Sequence, residues 1–293
     1  MEPPSWVKGW TGTVAGQGTR APPLCAGPAR CGGTSAAGQG PVSDIDATRT
    51  ERQGGHMTAT GGAAARATHP APPGVALPYR FRPARTAARA PAPLLVLLHG
   101  VGGDEHSLAT LADRLPGHLH VALPRAPLAG PQGGHAWYGV QVSEEGARAN
   151  ALEAEAARVQ VLQFLDQLQQ VQPYDAQQVC VAGFGQGAVI AASVGLTRPD
   201  RVAAIGMLCG RILPQVKWQL APGEQLSRLH VFFAEGGADG ITATDYAEDA
   251  MRTMAEHGVE VAYRDYPGRP RLHEAMANDF VQWVAQHWPA PAR

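Results

Sequence analysis

The spacing of hydrophobic and polar residues changes abruptly near Val75. Before it, residues 1 to 73 are rich in Gly, Ala, Pro, Thr and Arg and carry almost no hydrophobic period. Such a segment cannot bury enough apolar surface to offset the entropy of ordering, so disorder is expected there and a folded domain over 74 to 290. Met57 lies within this leader and is either the true start of translation or the join to a natural beginning. From Val75 the pattern is regular. "VALPYRFRP" alternates as an edge strand does, where Pro78 is tolerated. "APLLVLLHG" is a short uninterrupted apolar run ended by Gly, the pattern of a central parallel strand buried on both faces.

The remaining segments alternate in type. "SLATLADRL" predicts a helix and "HLHVALP" a strand. Residues 146 to 171 place Leu152, Val159, Leu162, Leu165 and Leu168 at helical spacing, which predicts an amphipathic crossover helix ended by Pro173. "QQVCVAGF" predicts a strand and "QGAVIAASVGLT" a helix. "VAAIGMLCG" and "LHVFFAEGG" follow as strands around an irregular "QVKWQLAPGEQ"; "TDYAEDAMRTMAEHG" is helical, "VEVAYRDYPG" a strand and "EAMANDFVQWVAQHW" a closing helix. Strands alternating with helices predict an α/β fold with a mostly parallel central sheet and helices on both faces.

Composition narrows the chemistry. A formal net charge of -1 gives no electrostatic reason to expect nucleic acid. No apolar run is long enough to span a bilayer and the first residues lack a signal-peptide pattern, so a cytoplasmic location is expected. Cys25, Cys31, Cys180 and Cys209 have neither disulfide-framework nor zinc spacing, and no metal or cofactor is implied.

In an open α/β sheet the chemistry gathers beyond the carboxyl ends of the strands. "GFGQG", Gly183 to Gly187, has the glycine spacing of the G-x-S-x-G nucleophile elbow, with Gly185 where the serine belongs. "HGVGGDE" after the second strand has the form of an oxyanion turn, with one amide from Val101 and the second from Gln186. Asp239 lies in the loop "AEGGADGITA", and His273 just before the closing helix; taken singly, each is more often an ordinary surface residue.

Together "HGVGGDE", "AWYG", "GFGQGA", "RILP", the Gly-x-x-Asp loop and "YPG" resemble, in order and spacing, the phospholipase/carboxylesterase and acyl-protein thioesterase family of α/β-hydrolases, from about Val75 to Trp288. The resemblance implies an α/β-hydrolase fold, with Gly185 at the nucleophile position and Asp239 as the acidic residue. The family histidine falls on Pro270 or Arg271 without a gap, or on His273 if the loop is longer. His99, Gly100, Trp137 and Tyr138 are the expected pocket residues, although Trp137 and Tyr138 fit an aromatic core equally well.

Gly185 cannot attack an acyl carbon. Among substitutes, Cys209 sits at a strand end, Cys180 inside a strand and Ser193 well into a helix, and a small buried thiol is the commoner state of a free Cys. Three functions follow as expectations. The first is a catalytically impaired pseudoenzyme binding a ligand or partner, the ligand being a small acyl ester or related small molecule. The second is an active carboxylesterase or thioesterase with an unconventional nucleophile, and the third a pure interaction scaffold.

Overall fold

The structure, a computed structural model, describes residues 75–85, 91–143, 146–236, 241–268 and 271–289. All of these lie in the compact unit Ala63–Arg293. The disorder expected over 1 to 73, and Met57, fall outside the described residues.

In chain order the elements are β1 (Tyr79–Arg82), β2 (Leu94–Leu98), α1 (Ala109–Arg114), β3 (His120–Pro124), β4 (Leu128–Ala129), β5 (His135–Ala136), β6 (Val140–Ser143), β7 (Gly146–Ala149) and α2 (Ala151–Val171). Then come β8 (Val179–Phe184), α3 (Gln186–Thr197), β9 (Ala204–Leu208), α4 (Pro214–Lys217), α5 (Gly223–Leu226), β10 (His230–Gly236), α6 (Ile241–Glu256), β11 (Glu260–Tyr266) and α7 (Glu274–His287). Seven strands form the main sheet in the order β1-β3-β2-β8-β9-β10-β11. Every pairing in it is parallel except β1 with β3, so β1 is the antiparallel edge strand.

Burial on both faces is visible residue by residue in β2. Leu94, Val96 and Leu98 join the core beneath α2, α3 and α6, whereas Leu95 and Leu97 join the core beneath α1 and α7. A strand buried on both faces has no polar alternation to show, which is why its sequence is an unbroken apolar run. Each such Leu or Val contributes about 1.5–3 kcal/mol relative to an exposed side chain. The α3 helix is buried from Gln186 through Leu196, a consequence of its small residues lying between the sheet and α2.

Three expectations need correction. The crossover helix begins at Ala151, not near 146: Asn150 caps it by accepting a hydrogen bond from the Glu153 amide, and Gly146–Ala149 instead pairs with β6 as a hairpin. Leu152 is 83% exposed and Val159 also faces solvent, while Ala154, Ala157, Val161 and Phe164 join Leu162, Leu165 and Leu168 on the buried face. The "QVKWQLAPGEQ" stretch is not irregular throughout, because it holds α4 and α5. Among the described residues no helix is long and apolar enough to cross a membrane.

Candidate active site

The bend between β8 and α3 is a single residue. Gly185 has φ 55° and ψ −116°, donates its amide to the Leu208 carbonyl of β9 at 2.9 Å and accepts from the Val189 amide at 3.2 Å. That backbone conformation is one that side chains with a Cβ adopt only under strain. Space is not the obstacle, since a Cβ on Gly185 would meet only the Gly100 Cα, at 3.8 Å. Gly187 is different: a Cβ there would overlap the Leu98 carbonyl, so this glycine is what lets the helix start press against the end of β2.

Opposite the bend, the turn after β2 is pinned on both sides. Gly102 donates to the His135 carbonyl and the His135 amide to the Gly103 carbonyl, both at 2.8 Å, while Gly103 donates back to Gly100 at 3.1 Å. The Val101 amide donates to no backbone acceptor among the described residues. Gln186 is the first residue of α3, where a helix leaves its amides without an intrahelical acceptor. Two amides from separate elements thus lack a backbone acceptor among the described residues.

Behind this turn the polar groups satisfy one another. His99 is 1% exposed; its Nε2 accepts from the Ala126 amide at 3.0 Å, which leaves the proton on Nδ1 to donate to the Gly100 carbonyl at 2.7 Å. Burial, the leading cause, lowers its pKa, so the ring is neutral. Trp137 is 0% exposed and donates Nε1 to the His99 carbonyl at 2.8 Å. The Gln186 side chain completes the brace, its Oε1 accepting from the Trp137 amide at 3.0 Å and its Nε2 donating to the Tyr138 carbonyl at 2.8 Å. Arg125, after β3, clamps Glu105 with two hydrogen bonds of 2.7 and 2.8 Å, and this pairing is the first cause of the lowered Glu105 pKa. Of the expected pocket residues, only Gly100 therefore faces the bend directly in this geometry; His99, Trp137 and Tyr138 are buried behind it.

The other side of the site is built from the ends of β9, β10 and β11. Asp239 and Pro270 lie outside the described residues. His273 is the N-cap residue of α7, stacked on Tyr266 with ring centroids 6.4 Å apart, and its Nδ1 accepts from Arg271 Nε at 3.2 Å. Cys209 has φ 56°, the one positive φ outside glycine among the described residues, and the backbone amides of Gly236 and Arg271 face its sulfur. Burial, aided by Glu235, pushes this thiol up to about 12, so it is protonated at neutral pH. Cys180 is buried inside β8 with its pKa also raised by burial, and Ser193 donates its hydroxyl to the Val189 carbonyl at 2.7 Å within α3.

Glu235 escaped the sequence reading. It lies at the carboxyl end of β10 in register with Asp265 of β11. Burial first, then the Asp265 charge, pushes its pKa up to about 8, against the Gly210 amide that favours the carboxylate. A charged residue ending an otherwise apolar strand, as in "VFFAEGG", was the available signal.

An open, mostly parallel sheet with a one-residue bend into a buried helix, faced by the turn that ends the neighbouring strand β2, defines an α/β-hydrolase. The sequence profile of the Phospholipase/Carboxylesterase family matches residues 85–288, and the chain belongs to that family. It is 24% identical over 195 residues to the putative hydrolase MhqD of Bacillus subtilis (strain 168), covering 66% of this chain and 92% of that protein. The fold is shared with the Bacillus cereus carboxylesterase at a TM-score of 0.63 and 19% identity, over 73% of this chain and 95% of that one. It is also shared with Zea mays acyl-protein thioesterase 2 at a TM-score of 0.59 and 17% identity, over 71% and 97%.

Proposed function

We propose that this family member binds a small acyl ester or a related acyl compound and has lost most of the ester hydrolysis its fold serves elsewhere. The observation that carries the reading is Gly185 at the bend, where a hydrolase of this fold presents its nucleophile. A hydrogen cannot attack a carbonyl. The neighbouring thiol of Cys209 is held as the neutral acid, which supports the same conclusion. Loss of the nucleophile alone lowers turnover on the order of a millionfold, or about 8 kcal/mol of barrier. What remains is binding: the amides of Val101 and Gln186 suit a carbonyl or carboxylate oxygen, and the bend leaves side-chain space empty above Gly185.

A second reading, an active carboxylesterase or thioesterase, draws support from the activities named for the structural neighbours. Hydrolysis of p-nitrophenyl butyrate separates the two. The wild-type chain and Gly185→Ser are expected to stay near background, because a serine without a base is a poor nucleophile. Gly185→Ser with Pro270→His is expected to exceed either single change, since members of a triad act as a unit. Gly185→Ser should also lower stability by about 1–3 kcal/mol in denaturant titration, the scale of backbone strain at such a residue. Wild-type turnover that Cys209→Ala abolishes would overturn the reading. Brisk turnover by Gly185→Ser that His273→Ala removes would identify His273 as the base. A folded chain that binds no acyl probe would favour an interaction scaffold.

A further inference from the structure

The end of the sheet opposite the bend carries a pair of histidines. His230 opens β10, with its amide bonded to the Ala203 carbonyl at 3.1 Å, and His287 is the last residue of α7. Both are exposed, and their ring centroids lie 4.9 Å apart with the planes inclined at 60° rather than stacked flat. The pair is held from below. The His287 ring rests 4.4 Å from that of Trp283, which packs in turn on Phe232, Phe280 and Trp288, and both tryptophans are buried.

Hydrogen bonding and spacing both suit a shared ion. His287 Nδ1 lies 2.9 Å from the Trp283 carbonyl, which can only accept, so the ring proton sits on Nδ1 and Nε2 keeps its lone pair. A backbone carbonyl holding Nδ1–H is the arrangement that orients metal-binding histidines. Partial burial first, then the His287 charge, lower the His230 pKa, so this ring is neutral and able to give a lone pair at neutral pH. Glu260, in register with His230 on β11, adds negative charge at the same strand end. A nitrogen about 2.1 Å from a shared ion puts its ring centroid about 3.2 Å from that ion, so ligand angles of roughly 90–110° separate two centroids by roughly 4.5–5.2 Å. The observed 4.9 Å falls within that interval.

We propose that His230 and His287 form a surface chelate for a divalent transition ion of the zinc and copper(II) class, which ties the start of β10 to the end of α7. Imidazole nitrogen favours these ions over magnesium and calcium, which take oxygen. Among the described residues no group of three or more His, Cys, Asp or Glu could hold a metal, so water completes the coordination. An ion that bridges two elements binds the folded chain and thereby stabilises it. The chelate lies at the opposite end of the strands from Gly185 and is independent of the acyl-ligand reading.

Copper(II) titration of the untagged full chain, followed by tryptophan emission, tests the chelate, because Trp283 lies beside His287 and a bound copper(II) ion quenches a neighbouring indole. A saturating quench is expected. His230→Gln and His287→Gln should each weaken copper(II) binding about tenfold or more, since either leaves a single imidazole. His257→Gln, at a histidine just beyond α6, should leave the titration unchanged. Zinc chloride should compete with the quench and raise the melting temperature of the wild type, and magnesium chloride should do neither. Both ligand substitutions are at exposed positions, and circular dichroism checks that each variant is folded. No quench, or a quench that survives either substitution, would overturn the chelate. Weakening by His257→Gln to the same extent, or a zinc-induced rise in melting temperature that persists in both ligand variants, would overturn it as well.

Discussion

The two halves of the site are built on different principles. On the β2 and β8 side, the bend, the oxyanion turn and the Trp137 segment are fixed mainly by backbone groups, with the side chains of His99 and Gln186 bonded to backbone atoms at both ends. On the β9 to β11 side, the chemistry belongs to side chains: Cys209, Glu235, Arg271 and His273. Backbone geometry is required by packing whether or not a reaction takes place, because the α3 start must sit against β2. Side chains at strand ends face no such demand. A fold of this kind can therefore lose its reacting groups while keeping the cradle in which they acted.

If that contrast is right, the largest effect should come from Gly187→Ala. A methyl there enters the Leu98 carbonyl, a backbone atom in a central strand, so a loss above about 3 kcal/mol or failure to fold is expected by denaturant titration. A mild effect would show that the cradle is looser than its packing implies. Next in size is Gln186→Ala, which leaves the Trp137 amide and Tyr138 carbonyl unpaired in the interior. About 2–3 kcal/mol of stability should be lost, with a shifted tryptophan emission. A loss below about 0.5 kcal/mol would assign the bracing to Glu105 and Arg125 instead.

The smallest effect belongs to the other half. Glu235 has a folded pKa of about 8 against an ordinary 4.5, so between these values the folded chain keeps a proton that the unfolded chain has released. Its contribution is fully present below pH 4.5, is lost as pH rises towards 8, and changes little above that. Glu235→Gln should match the wild type near pH 4.5 and be more stable at pH 8.5, by on the order of 1 kcal/mol once partial exposure is allowed for. Thermal melts at the two pH values read this directly, and an advantage independent of pH would sink it.

The sequence disclosed the central architecture because buried parallel strands announce themselves: "LLVLL" and "VCVAGF" admit few other readings. The sheet was legible, and so was the bend at Gly185. The hairpins β4-β5 and β6-β7 were not, since two-residue and four-residue strands such as "HA" and "GARA" carry no period to detect. The misplaced start of α2 had a signal that went unused, the Asn-x-x-Glu spacing of Asn150 and Glu153. Leu152 and Val159 misled because apolar residues are also common on surfaces, whereas small Ala154 and Ala157 let the helix approach its neighbours. For the site, Gln186 was expected only as an amide. Its side chain bonds to Trp137 and Tyr138, 49 and 48 residues away, a relation no local pattern contains.

The φ of 55° at Gly185 also makes exchange at this position asymmetric. Replacing serine by glycine relieves strain, so it runs downhill in folding free energy, and glycine and serine codons can differ by one base. The return step runs uphill by about 1–3 kcal/mol, a sizeable share of the 5–15 kcal/mol that holds a typical domain together. A hydroxyl gained there acts as a nucleophile only with a base within hydrogen-bond reach. In folding free energy position 185 thus behaves as a ratchet, easily turned towards glycine and turned back only by a chain that first accumulates stability from elsewhere.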